Sequence, residues 1–190
     1  MVRFLAFLFA LPLVTHSYSV PTNPSIDRRL AFKTLAASTA FLVVTPSVNA
    51  LELCDPKANN CVRTTWTPPV GTSKEQSVKV LRAVIEAYPQ EGQSDVDGGG
   101  WTIAADDLDG SSGTARVEYR SSGKGNFAKF FNGGKPFVDD LKLEVGPSGT
   151  VEVKSQSRVG DSDFGVNAKR VNYLAAALSA KGWNAPVLPK

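Results

Sequence analysis

The sequence predicts an α+β fold: a single domain built on an antiparallel sheet of about four strands, with an N-terminal and a C-terminal helix packed on it. Three observations predict it. Apolar side chains recur every three or four residues over 73–88 and again over 166–180, the period of a helix with one buried face. Between those segments, side chains change character at every second residue, the period of a strand with one wet face. The order helix, strands, helix, without internal repeats or βα alternation, is the order of an α+β layer pair.

The first helix runs from Ser73 to Tyr88. Thr72 or Ser73 caps it, Glu75 or Gln76 supplies the return half of a capping box, and Val78, Leu81, Val84, Ile85 and Tyr88 share one face. Pro89 stops it. Gly98-Gly99-Gly100 leads into a strand at Trp101 to Ala105, and the turn Asp109 to Gly113 leads into another at Thr114 to Arg120. There Ala115, Val117 and Tyr119 alternate with Arg116, Glu118 and Arg120, which predicts one solvated face. The glycine-rich stretch Ser121 to Pro136 carries Phe127, Phe130 and Phe131 and reads as a lid folded back on the core, with a grip on a ligand or partner as the alternative. Phe137 to Val145 and Thr150 to Ser157 form a hairpin around the turn Gly146 to Gly149. In its first strand Asp139 points where Phe137, Leu141, Leu143 and Val145 point. The last helix spans Val166 to Ala180, with Val166, Arg170, Leu174 and Leu178 at steps of four, and Gly182 ends it. Arg170 thus lies on an apolar stripe.

Charge divides the chain. Residues 1–50 hold Arg3, Arg28, Arg29 and Lys33 against Asp27, which accounts for the whole net charge of +3. The neutral remainder has no surplus of Lys and Arg for binding nucleic acid or an anionic membrane. The single histidine, His16, and the single methionine, Met1, also fall in this leader. Residues 51–190 therefore contain no Ser-His-Asp or Cys-His triad, no His-ligated zinc and no His- or Met-held haem, and no metal or cofactor is expected.

Phe4 to Val14 is an apolar run of the length of a secretory signal core, too short to span a bilayer. A polar segment follows, then Arg28-Arg29, the mildly apolar stretch Leu30 to Val44 and the small-residue box Val48-Asn49-Ala50, the layout of a second export signal, with a membrane anchor over Thr34 to Ala50 as the poorer alternative. The pair resembles the multipartite leaders of algae with complex plastids, such as diatoms, in which an ER-type signal (1–17) precedes a plastid transit and twin-arginine thylakoid signal (18–50). That resemblance implies a mature domain of residues 51–190 in the thylakoid lumen, without a transmembrane span.

Cys54 and Cys61 are the only cysteines. Two thiols without a nearby His make an incomplete zinc shell, and export favours a disulfide, a local clip over so short a loop; a redox switch is the alternative. Asp95 to Asp106 has acids at positions one, three and twelve and Gly at six, as a calcium loop requires, but Gly at five and strand-like sequence afterwards favour a solvated acidic turn.

The chemistry concentrates in Lys154 to Arg170, KSQSRVGDSDFGVNAKR. Asp139 and Arg170, each costly to bury alone, should meet each other or a second opposite charge, and Asp163 with Arg158 forms the obvious second pair. Gly160 and Gly165 bracket a tight strand-to-helix turn in which Asp163 or Asn167 caps the helix, while Ser155 and Ser157 bond turn amides. The run Ser155-x-Ser157-Arg158-x-Gly160-x-x-Asp163-x-Gly165-x-Asn167-x-x-Arg170, with Cys54, Asn60-Cys61-Val62 and Asp139-Asp140 upstream, resembles the family called domain of unknown function 1499 over residues 51 to 181. The family usually has Arg at position 154, where this chain has Lys, a point charge without a bidentate fork. The resemblance implies a fold and a site location but no reaction.

Three readings of this constellation stand side by side. It is a hydrogen-bonded structural knot that docks the last helix; or it leaves Arg158, Ser157 and the helix start facing a cleft for an anionic or polar small molecule; or Asp139 and Asp163 serve a hydrolase as acid and base. The functional expectation is a thylakoid-lumen accessory or assembly protein that binds photosynthetic membrane complexes through a protein partner, with small-molecule binding or catalysis as the alternative.

Overall fold

The computed structural model describes residues 51–93, 96–124 and 130–189. The leader, Asp95 and Phe127, each singled out above, lie outside the described residues. The chain orders its elements as β1 (Cys61–Trp66), α1 (Lys74–Glu86), β2 (Trp101–Asp107), β3 (Thr114–Arg120), β4 (Val138–Val145), β5 (Val151–Ser157) and α2 (Val166–Ser179). The five strands form one antiparallel sheet in the order β1-β5-β4-β3-β2.

Both helices form where their caps and periods direct. The Ser73 hydroxyl accepts from the Gln76 amide at 3.2 Å, and the Gln76 side chain returns to the Ser73 amide at 2.9 Å, which closes a capping box. Val78, Leu81, Val84 and Ile85 of α1, with Val171, Leu174 and Leu178 of α2, cover one sheet face made by Val117, Tyr119, Leu141, Leu143, Val151 and Val153. The opposite face carries the half-exposed Arg116, Glu118, Arg120, Asp140 and Lys142. Alternation in β3 and β4 therefore sorts apolar from charged side chains across the sheet, as the sequence predicts.

The sheet has five strands where the sequence predicts about four. The added β1 pairs antiparallel with β5, from Cys61↔Gln156 to Trp66↔Val151. Only Trp66 of its residues is buried, so this edge strand has no two-residue alternation for a sequence reading to detect. Cys54 and Cys61 are joined by a disulfide that ties the start of β1 to the preceding turn. At the far end, Thr67 and Asn184 exchange two backbone hydrogen bonds of 2.9 Å, so the segment after α2 lies along the end of β1. Among the described residues, no helix is long and apolar enough to cross a membrane.

The predicted lid does not fold back on the core in its described part: Phe130 and Phe131 are 81% and 66% exposed. The acidic turn is corrected in the other direction, because Asp97 is buried rather than solvated.

Candidate ligand-binding site

Arg170 projects from the buried stripe of α2 and is fully enclosed. A guanidinium has five N–H donors, and all five are used. Nε donates to Asp97 Oδ2 at 2.8 Å, and Nη2 donates to Asp97 Oδ1 and, at 2.6 Å, to Asp139 Oδ2. Nη1 donates to Asn167 Oδ1 at 2.8 Å and to Ser155 Oγ at 3.1 Å. The Tyr119 ring lies 4.5 Å from the guanidinium carbon, a cation–π contact on one side. Burial alone would lower the Arg170 pKa, but the hydrogen bonds and charge of Asp97 and Asp139 raise it, so the cation is secure.

The pairing of Arg170 with Asp139 is as the sequence predicts; the second carboxylate, Asp97, is not among the predicted site residues. Asp97 sits at φ 62°, a left-handed conformation that Asp tolerates, and its carbonyl accepts from the Gly100 amide in the glycine turn before β2. Its Oδ2 also accepts from Tyr88 Oη at 2.6 Å. Burial, then the Asp97 charge, pushes the Tyr88 phenol well above its usual range, so it stays a donor.

Asn167 is the second hub. Its Nδ2 donates to Asp163 at 2.7 Å and to Ser157 Oγ and the Asn60 carbonyl at 3.1 Å, while its Oδ1 accepts from Ser155 Oγ at 2.5 Å. Ser155 and Ser157 thus bond the Asn167 side chain, not the turn amides expected of them. Asp163 accepts from the amides of Gly165 at 3.0 Å and Asn167 at 2.7 Å, so it caps α2 from two residues before Gly165, as predicted for it.

The expected Arg158–Asp163 pair does not form. Arg158 comes directly after Ser157, the last residue of β5, and its side chain emerges on the other sheet face, where it holds Asp140 through Nε and Nη2 at 2.8 Å each and Glu118 at 2.5 Å. Arg116 and Arg120 extend this network to Asp140 and Glu118. These two acceptors raise the Arg158 pKa, and Arg158 in turn lowers that of Glu118. Burial alone would raise Asp140, but Arg158 and Arg116 outweigh it and lower it. The predicted constellation is therefore two sites on opposite faces: Asp139, Ser155, Ser157, Asp163, Asn167 and Arg170 with the helices, and Asp140 and Arg158 on the open face.

The helix-side cluster forms the floor of a cavity of about 520 Å³. Asp97, Asp139, Ser121 and Ser157 contribute the polar part, and Phe131, Phe137, Val159, Phe164 and Val166 supply apolar walls. Phe164 stands at φ 53° in the Gly160–Gly165 turn with its ring 71% exposed. The cavity and knot together hold Asp97, Asp139, Asp161 and Asp163 against Arg170, an acidic surplus. The helix start, already taken by Asp163, offers no open place for an anion. Among the described residues, no group of three or more His, Cys, Asp or Glu is arranged to hold a metal.

Residues 51–178 match the model of a family described as Protein of unknown function (DUF1499). The chain belongs to the DUF1499 family. No curated protein and no solved structure matches it. In this DUF1499 domain, the signature residues from Ser155 to Arg170, apart from Arg158 on the open face, thus gather around one buried guanidinium and the cavity beside it. Asp97 and Tyr88 complete the site from outside the signature; the residue pattern offers one hint of Asp97, a carboxylate within a glycine-rich turn directly before a strand.

Proposed function

We propose that this DUF1499 domain is a binding protein for a small amphipathic molecule with an apolar body and a cationic or hydrogen-bond-donating head. The observation that carries this reading is one carboxylate oxygen. Asp139 is about nine-tenths buried and lines the cavity; its Oδ2 is taken by Arg170, whereas its Oδ1 has no hydrogen bond among the described residues. A carboxylate oxygen that no protein group occupies keeps its acceptor capacity for a ligand head group. Apolar walls around a few convergent polar groups are the usual composition of a ligand pocket. The same acidic surplus disfavours the anionic ligand that the sequence suggests.

The test is thermal denaturation with an arylamine and the carboxylate of the same skeleton. The amine is expected to raise the melting temperature saturably, the carboxylate is not, and Val159→Trp, which fills the cavity mouth, is expected to abolish the effect. Equal shifts from both compounds, or an unchanged response in the tryptophan variant, refute the reading.

A second reading rests on the exposed Phe130, Phe131 and Phe164: an accessory protein of the thylakoid lumen that docks on photosynthetic membrane complexes through these rings. The leader supports that site of action. Isolation of the native complex from plastids and mass spectrometry of its members tests it, with loss of co-migration expected in Phe131→Ser/Phe164→Ser.

A further inference from the structure

The open face of the sheet carries an unusual row of like charge. Register sets Arg63 opposite Lys154, Lys154 opposite Lys142, and Lys142 opposite Arg116, so four basic side chains cross four strands side by side. Like charges directly opposite on neighbouring strands destabilise a sheet unless something neutralises them. The outer two are neutralised: Arg63 by Glu152 at 3.5 Å, Arg116 by Glu118 and Asp140 at 2.8 and 3.1 Å. The inner two are less well matched. Lys154 is 4% exposed, and its ammonium has one ion-pair partner among the described residues, the exposed Glu52, whose Oε2 at 3.8 Å is beyond hydrogen-bond range. Lys142 has no hydrogen bond or ion pair among the described residues. A second cavity, of about 260 Å³, opens where these two lysines meet, bordered also by Gln156, Arg158 and Asp140.

The geometry points to an oxyanion site of phosphate class on this face, in which Lys142 and Lys154 grip the anion with Gln156 as a neutral donor, and Glu52 is a tethered competitor. Three bases and one acid border the cavity, a local surplus of two positive charges. That surplus matches a phosphate group, which carries about −1.5 to −2 at neutral pH. Asp140 does not oppose it strongly, since its oxygens are already taken by Arg158 and Arg116. Glu52, whose side chain is almost entirely in solvent, comes from the chain before β1 and sets a carboxylate near the ammonium without completing a hydrogen bond. It is thus displaceable, and its removal should favour the incoming anion. This site faces away from the Arg170 cavity and does not depend on the ligand proposed there.

Inorganic phosphate, titrated at pH 7.5 against chloride at matched ionic strength and followed by thermal melting and phosphorus NMR line width, tests the site. Expected is a saturable stabilisation by phosphate that chloride does not reproduce. Lys142→Gln, a half-exposed position whose loss leaves the core intact, should raise the half-saturating phosphate concentration at least tenfold, and Glu52→Gln should lower it severalfold. A phosphate monoester that saturates at lower concentration than inorganic phosphate marks an esterified ligand, and the reverse order marks the free anion. Phosphate acting no better than chloride, an unchanged midpoint in Lys142→Gln, or weaker binding in Glu52→Gln overturns the assignment.

Discussion

Replacing Arg170 by Leu tests the knot where its energy is concentrated. The substitution removes all five hydrogen bonds of the guanidinium and leaves two carboxylates, Asp97 and Asp139, in the interior without a cation. Breaking a buried ion pair from one side costs about 3–5 kcal/mol, and the lost contact with the Tyr119 ring adds about 0.5–2 kcal/mol. The leucine recovers part of this by burying apolar surface, so the net expectation is a loss of about 3 kcal/mol or more. For a domain of this size that lowers the melting temperature by about 10 °C. Urea unfolding followed by far-ultraviolet circular dichroism measures the loss, and Asp97→Asn supplies a double-mutant cycle. In Arg170→Leu/Asp97→Asn one stranded charge is gone, so the double variant should be more stable than the sum of the single effects predicts. A single variant that unfolds at the wild-type midpoint, or strictly additive effects in the cycle, would refute the assignment of Arg170 as the charge that balances these carboxylates.

Asn167→Ala should cost at least about 2 kcal/mol in the same urea experiment, because it leaves the Ser155 and Ser157 hydroxyls, the Asn60 carbonyl and one Arg170 donor without their partner. Reduction of the Cys54–Cys61 bond, or Cys54→Ser, should cost about 2 kcal/mol, since so short a loop restricts the unfolded chain only modestly; parallel melts with and without dithiothreitol measure it. Arg158→Gln should cost under about 1 kcal/mol, because that network is partly solvated. Its pH dependence has a definite sign. Asp140 and Glu118 are held below their usual pKa in the folded state, so the stabilisation is present above the ordinary carboxylate range and disappears as pH falls through and below it. The gap between wild type and Arg158→Gln in urea midpoint should therefore stay constant from pH 7 to 5 and close below about pH 4; a gap that widens on acidification contradicts the pairing.

What the residue pattern reveals and what it hides follow from how each signal is encoded. Arg170 at a four-residue step among Val166, Leu174 and Leu178, and Asp139 at a two-residue step among Leu141 and Leu143, are both visible because periodicity alone states that a charge faces the core. Their meeting follows from the cost of burying either alone. Asp97 escapes because it belongs to no periodic segment: it is fixed by a glycine turn and by contacts with Tyr88 and Arg170, nine and seventy-three residues away. β1 escapes because an edge strand with one buried residue carries no alternation. The separation of Arg158 from Ser157, by contrast, is legible from the strand period, since consecutive strand residues face opposite ways. Grouping them in one cleft ignores that period, and the error carries through to the anionic ligand.

The balance of charge in the knot bears on whether it is only structural. One guanidinium needs one bidentate carboxylate, and Asp97 fills that role with both oxygens while also taking the Tyr88 hydroxyl. Asp139 is then a second negative charge beside a cation already matched, taken out of water for a single bond at 2.6 Å. A purely structural design loses little by replacing it with an apolar residue, since buried ion pairs rarely repay their desolvation and an extra, half-used carboxylate repays less. The second carboxylate is explained if its remaining oxygen has work outside the protein. Asp139 lines the same cavity as Phe137, Val159 and Val166, so the knot that docks α2 also fixes the position of an acceptor residue in the cavity wall. Structural rigidity and ligand recognition are then one requirement: the acceptor is held in place by the same guanidinium that keeps the helix on the sheet.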